Sequence, residues 1–344
     1  MQSETTHISE QLLKEITDSI GLNNHNIKLI TYSQNFVYDV SDGINSKILR
    51  ITSDKHRTRD QILAELQWID LLKANGIHAC AAIKTNGKSQ IISFESPTDT
   101  LHCVLFERAK GIPISSEMLN ENLYYLHGAL IGKIHKVTRK CPIEISNNRF
   151  RWSNNRLYTS DILEFLPDNI KEKISEISKE LISIAEQLPQ TTETYRLIHF
   201  DLHYDNFYIH SKEAYLFDFD NCSNGYFVND IAKALWASVF TYHRKSQFQE
   251  KNPFLDKSIA GPIMECVWNP FWDGYRSENE INKSWFEQIP LFFELIHLKE
   301  FVHHYRHKVP YRSEELKNIF LIEQKQIERR EIPICFDFKN GKAK

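Results

Sequence analysis

The sequence predicts an α+β protein in two lobes, on three observations. Five extended segments, with one amphipathic helix inserted among them, follow a first helix before residue 107. Helical periodicity dominates after residue 113. Between 197 and 221, short apolar runs frame a dense polar loop. A chain of 344 residues is long enough to bury a large core under both lobes.

The elements follow in order. Residues 8–20 place Ile and Leu at helical spacing and stop at Gly21. Extended segments are expected at 27–32, 35–41 and 46–52, with Asp42-Gly43 turning the chain between the last two. Residues 59–75 form a strongly amphipathic helix closed by Asn75-Gly76. Strands at 90–94 and 102–106 complete a lobe of five strands with one helix inserted after the third. Lys110-Gly111-Ile112-Pro113 marks the lobe boundary, giving an N-lobe over 1–109 and a C-lobe over 110–344. Helices are then expected at 123–137, 170–188, 230–242 and 290–307, and a charged helical tail at 314–329. The stretch 141–169 reads as irregular.

Composition narrows the function classes. Hydrophobic residues make up 41% and charged residues 25%, as in an ordinary globular protein, and a formal net charge of -3 offers no basic field to nucleic acid. No apolar run reaches membrane-spanning length, and the N-terminus has no signal-peptide core, so a cytoplasmic protein without a membrane or nucleic-acid partner is expected. Six cysteines, at 80, 103, 141, 222, 266 and 335, form no C-x-x-C pair, so neither zinc nor a disulfide framework is indicated.

The chemistry is concentrated in 197–221. His199, Asp201 and Asn206 form an H-x-D-x-x-x-x-N array, and Asp218 follows at the end of the apolar run Tyr-Leu-Phe. A kinase-type phosphotransferase needs this layout: one carboxylate beside the attacking hydroxyl, and an amide oxygen with a second carboxylate holding Mg²⁺ on the ATP phosphates. A plain polar hairpin whose His and Asp cap their own backbone is the bland alternative. His199 reads as structural, bonding the backbone of the metal strand, and Asp220 as a supporting carboxylate.

At these residues the chain resembles the aminoglycoside phosphotransferase/choline kinase-like family of bacterial small-molecule kinases. That family carries H-G-D-L-H-x-x-N, then I-D-F-D/E, then a D-I-A or D-L-A helix start. Here the chain reads His199-Phe200-Asp201-Leu202-His203-Tyr204-Asp205-Asn206, then Phe217-Asp218-Phe219-Asp220, then Asn229-Asp230-Ile231-Ala232. The resemblance implies a bilobal protein-kinase-like fold, with a small antiparallel N-lobe and a larger helical C-lobe. It implies Asp201 as catalytic base, Asn206 and Asp218 as Mg²⁺ ligands, and Asp230 as a buried anchor under the catalytic loop. Phe200 departs from the family's glycine.

On the nucleotide side, a cation on the third strand and an acid on the next helix are required. Strand alternation groups Ile48, Arg50 and Thr52 on one face, and the resemblance puts Arg or Lys at the phosphate-pairing place, so Arg50 is expected to pair with Glu65. Ser33, in the turn Ser33-Gln34-Asn35, is expected to face phosphate oxygens, without a G-x-G-x-x-G loop. Leu105 to Ala109 reads as the hinge, with main chain near Glu107 and Ala109 holding the base of ATP or GTP. Two apparent sites fail on spacing. Gly87-Lys88-Ser89 has Ala82 where a phosphate loop needs glycine, and His303-His304 point to different helix faces.

The acceptor is expected to meet the C-terminal helical region. The stretch 269–275 reads as a binding loop shaped by Pro270 and Gly274, with Trp272, Asp273 and Tyr275 at its mouth. Acidic and aromatic groups there suit an amine-bearing acceptor. A small-molecule hydroxyl is the expected acceptor; aminoglycosides, amino alcohols, homoserine and sugars all qualify. A stress-type serine/threonine protein kinase or a catalytically weak nucleotide-binding scaffold are the alternatives.

Overall fold

In the computed structural model, residues 8–343 are described, apart from 86, 88, 97–98, 155–162, 165, 248–253 and 309–312. Lys88 of the rejected phosphate-loop match and residues 155–162 and 165 of the stretch expected to be irregular therefore lie outside the described residues. Helix α1 (Glu10–Ser19) leads into an antiparallel sheet of β1 (Asn26–Tyr32), β2 (Phe36–Ser41), β3 (Ser46–Ser53), β4 (Ala82–Ile83), β5 (Ile92–Glu95) and β6 (Thr100–Glu107). Its order is β1-β2-β3-β6-β4, with β5 also pairing β6. The sheet thus has six strands among the described residues, not five. The two-residue β4 is too short to leave an alternating pattern.

Helix α2 (Arg59–Ala74) starts at a capping box: Thr58 Oγ1 accepts from the Gln61 N–H, and the Gln61 side chain accepts from the Thr58 N–H. On β3, Leu49 and Ile51 face α1 in a small core with Val40, Leu101 and Leu105. Arg50 and Thr52 face the other way, as the alternation requires. Helix α2 buries Ile62, Leu66, Trp68, Ile69 and Leu72 in the larger core, which it shares with the helical lobe. The chain leaves the sheet at Gly111. Its φ is +99°, and a Cβ there would lie 2.2 Å from the Ile209 carbonyl oxygen, so only glycine fits this crossing.

The helical lobe contains α3 (Glu121–Thr138), the short α4 (Ile143–Asn147), α5 (Asp168–Glu186), α6 (Phe227–Gln247), α7 (Lys257–Glu278), α8 (Ile289–Lys308) and α9 (Glu314–Glu328). Two small antiparallel pairs lie in front of them: β7 (Tyr195–Ile198) with β10 (Ser223–Tyr226), and β8 (Phe207–His210) with β9 (Glu213–Leu216). A terminal pair, β11 (Phe336–Asp337) and β12 (Lys342–Ala343), closes against α7 through the Ala343 N–H to Glu265.

Helix α7 overturns one expectation. The stretch 269–275 is helical, with Pro262 and Pro270 inside the helix. Glycines explain its position. A Cβ at Gly128 of α3 would lie 1.9 Å from the Phe271 carbonyl oxygen, and one at Gly274 would lie 2.0 Å from that of Tyr125. The two backbones touch, and that burial outweighs the loop-forming preference of Pro and Gly. No helix among the described residues is long and apolar enough to cross a membrane.

Candidate active site

Strand β7 delivers the chain to His199, and α6 clamps the turn that follows. Asp230, in the first turn of α6, accepts the His199 N–H at 2.9 Å through Oδ2 and the Phe200 N–H at 2.7 Å through Oδ1. Phe200 adopts a left-handed backbone, φ 71°, which suits a glycine and costs a phenylalanine about 1 kcal/mol. The two charge-assisted bonds from Asp230 hold it there, and its ring is buried. The His199 ring is buried against Phe219, centroids 4.6 Å apart, and burial keeps it neutral by pulling its pKa down.

Asn206 ends the loop. Its Nδ2 donates to the Asp201 carbonyl at 2.9 Å, which turns the amide oxygen away as a free donor atom. Its own carbonyl accepts the Phe217 N–H at 3.0 Å, so the loop and the strand leading to Asp218 move as one piece. Asp218 is exposed toward the cleft but crowded by protein. Burial, then Asp220, push its pKa up to about 6, against the pull of Arg50. Asp220 is engaged elsewhere: its Oδ2 meets His56 Nε2 at 2.8 Å and Arg57 at 3.5 Å, and its carbonyl accepts from Arg57 and Arg149. Burial opposes its ionisation, yet Arg57 and His56 hold it well below the usual carboxylate range. Its carboxylate is thus a strut between sheet and helical lobe.

Arg50 and Glu65 form the expected ion pair. Both guanidinium Nη atoms lie 2.8 Å from the two Glu65 oxygens, and both side chains are buried. Burial weakens the Arg50 charge, but Glu65 outweighs it; Asp220 and Asp218 add to the effect. Ser33 is exposed in the turn after β1, beside Asn35, whose Oδ1 accepts from Thr52 on the cleft face of β3. The Glu107 N–H is taken by the Ala81 carbonyl and its carboxylate by Lys73 at 2.7 Å. Its N–H is therefore not on offer to a purine, and Ala109, the other expected hinge position, is half-buried.

Asp201 is flanked by cations that sequence reasoning missed. Its Oδ1 lies 3.1 Å from Lys233 Nζ and 3.4 Å from Lys299 Nζ. Lys233 also pairs with Glu300 at 3.3 Å. Burial would raise the Asp201 pKa, but Lys299 and Lys233 hold it well below the usual range, so the carboxylate is ionised. Lys233 follows Asp230 by three positions, hence on one helix face, which was a usable signal. Lys299 and Glu300 lie side by side in the largely apolar first part of α8, a weaker one. Contacts such as Arg57 to Asp220, separated by 163 positions, left no local signature.

The expected acceptor residues lie elsewhere. Tyr275 has 0% exposure; its hydroxyl bonds His135 at 3.0 Å and Asn279 at 2.8 Å, so it cannot stand at a mouth. Trp272 stacks between Trp268 and Tyr275. Asp273 is exposed and pairs with Arg276 at 2.8 Å on the outer face of α7. The physical reason is the glycine contact of α7 with α3, which turns this stretch into packing.

Among the described residues, no three His, Cys, Asp or Glu side chains converge as a metal cage. The Asn206 amide oxygen and the Asp218 carboxylate are hard oxygen donors. Such a pair fits a divalent cation that keeps its waters and takes phosphate oxygens as further ligands. The raised Asp218 pKa marks a carboxylate short of positive charge, which such a cation supplies.

The chain is similar to proteins already described. The curated amicoumacin kinase of Bacillus subtilis (strain 168) is 26% identical over 297 residues, covering 84% of this chain and 82% of that protein. A solved amicoumacin kinase in complex with AMP-PNP, Ca²⁺ and Ami superposes with a TM-score of 0.83 at 24% identity, over 99% of both chains. A microcompartment-associated aminopropanol kinase gives 0.65 at 17% identity, over 91% of this chain and 95% of that one. These likenesses establish the kinase-like fold. Residues 27–250 match the family described as the phosphotransferase enzyme family, and the chain belongs to it.

Proposed function

We propose that the protein transfers the γ-phosphoryl group of ATP, with Mg²⁺, to a hydroxyl of a small molecule, and that this acceptor is an antibiotic of the amicoumacin type. One observation carries the reading of the reaction. The charges of Arg50 and Asp201 both act on the Asp218 carboxylate, which supports one cleft shared by the phosphate cation, the metal donors and the hydroxyl-orienting carboxylate. The acceptor class rests on the near full-length likeness to two amicoumacin kinases.

Arg50, held by Glu65, neutralises phosphate charge. Asn206 and Asp218 would hold the Mg²⁺, which would supply positive charge to the phosphates during transfer. Asp201 accepts the hydrogen bond of the attacking hydroxyl, aligns it with phosphorus, and takes its proton late in transfer. Asp230 keeps the loop backbone fixed during this step. Ser33 and the Ala109 main chain meet phosphate and base.

The test is ADP release and transfer of label from γ-labelled ATP, using amicoumacin, spectinomycin, an aminoglycoside, choline, ethanolamine and aminopropanol. Label in the amicoumacin fraction is expected. Label on protein instead favours a protein kinase, and no label anywhere favours a nucleotide-binding scaffold.

A further inference from the structure

The catalytic loop is held from behind by two lysines that converge on a single oxygen. Both ammonium groups reach Asp201 Oδ1, at 3.1 Å for Lys233 and 3.4 Å for Lys299. Near Oδ2, His203 Nε2 stands at 3.8 Å, beyond hydrogen-bond range. The lysine side chains are 9% and 10% exposed and that of Asp201 is 21%, so the lysines lie deeper than the carboxylate they hold. Lys233 divides its charge between Asp201 and Glu300. Lys299 comes from a different helix, α8, and its ammonium sits 5.5 Å from the centroid of the Phe200 ring. Phe200 holds a left-handed backbone, and its ring forms a shelf against that ammonium.

We propose that Lys299 is a positioning residue for Asp201: with Phe200 as its support, it ties down Oδ1 and so presents Oδ2 to the acceptor hydroxyl. The inference rests on the reading of Asp201 as the group that orients this hydroxyl. A carboxylate free to rotate would offer either oxygen and spend part of its time misaligned. Two cations on one oxygen remove that freedom. Lys233, shared with Glu300, holds the same oxygen from a second helix.

The experiment measures steady-state ADP release from Mg²⁺-ATP, with amicoumacin and with water as acceptors, for Lys299→Met, Lys299→Arg, Phe200→Leu and Asp201→Asn. Lys299→Met should lower kcat by about 10- to 100-fold, the scale of a misplaced reacting group. KM for ATP should stay within about twofold, since the nucleotide contacts are untouched. Lys299→Arg should recover most of the loss, which a purely structural lysine would not require. Phe200→Leu, which keeps bulk and removes the aromatic face, should fall between. Lys299→Met should cost less in the Phe200→Leu background, because shelf and cation act as a unit. A Lys299→Met enzyme with kcat within about twofold of wild type overturns the proposal while Asp201→Asn is still inactive. Near-normal turnover by Asp201→Asn overturns the reading of Asp201, and this inference with it. If Lys299→Met does not fold, Phe200→Leu decides: normal kcat in that variant refutes the shelf.

Discussion

Removing Glu65 tests the nucleotide side of the cleft most directly. In Glu65→Ala, Arg50 loses both 2.8 Å bonds and stays buried beneath the sheet. Breaking a buried ion pair from one side typically costs about 3–5 kcal/mol, because the remaining charge is uncompensated. Asp220 and Asp218 still act on Arg50 here, so the lower end, about 3 kcal/mol, is expected. An unfolding entropy of about 2.1 cal/mol/K per residue, taken over 344 residues, converts this to a fall in Tm of about 4 °C. The double variant Arg50→Met/Glu65→Met removes both charges and should lie within about 1 kcal/mol of wild type, or above it. Both variants should lose ATP affinity, since both lose the ordered guanidinium. Thermal unfolding with and without ATP, alongside calorimetric titration, reads all of this. If Glu65→Ala is as stable as wild type, or the double variant is worse than the single, the pair is not a desolvated unit and the reasoning fails.

Three other outcomes are expected. Asp218→Asn should abolish the dependence of ATP binding on Mg²⁺, and calorimetry that finds the dependence intact would assign the metal to another carboxylate. His127 is buried among Tyr204, Phe207 and Phe271, and burial pushes its pKa down to about 3 against an ordinary 6.5. The unfolded chain therefore takes up this proton first as pH falls, so the stability is present above about pH 6.5 and roughly 2–3 kcal/mol is lost by about pH 4.5. His127→Leu should remove that share of the acid slope in denaturant titrations, and an unchanged slope would refute it. Gly274→Ala places a Cβ 2.0 Å from the Tyr125 carbonyl oxygen and should cost at least about 3 kcal/mol or prevent folding, where a binding loop would have tolerated it.

Legibility in the sequence followed locality. Asp201, Asn206 and Asp218 stood out because the chemistry constrains residue type and spacing over a short stretch. Arg50 and Glu65 were found because the family resemblance puts a cation at this place on the strand and the next helix supplies the acid. The stretch 269–275 of α7 was misread because Pro270 and Gly274 are loop formers by local preference, and the facing backbone of α3 at Gly274 left no local trace. Lys233 and Lys299 were passed over because a lysine on a helix ordinarily faces water. The His56 and Arg57 contacts to Asp220 join segments far apart in sequence, and no single-chain pattern encodes them.

The placement of α2 bears on how such enzymes can be recombined. Its apolar face lies in the core of the helical lobe, Trp68 Nε1 donates to Thr138 Oγ1 at 3.1 Å, and Arg149 donates to the Gln61 carbonyl at 2.9 Å. A fragment ending at the hinge would carry this helix away from its partners and leave Ile62, Leu66, Trp68, Ile69 and Leu72 facing solvent. Chimaeras between relatives that swap the sheet at residue 110 should therefore aggregate. Those that keep α2 together with α3 and the Arg149 segment, and exchange only the strands around them, respect the boundary along which side chains are fitted.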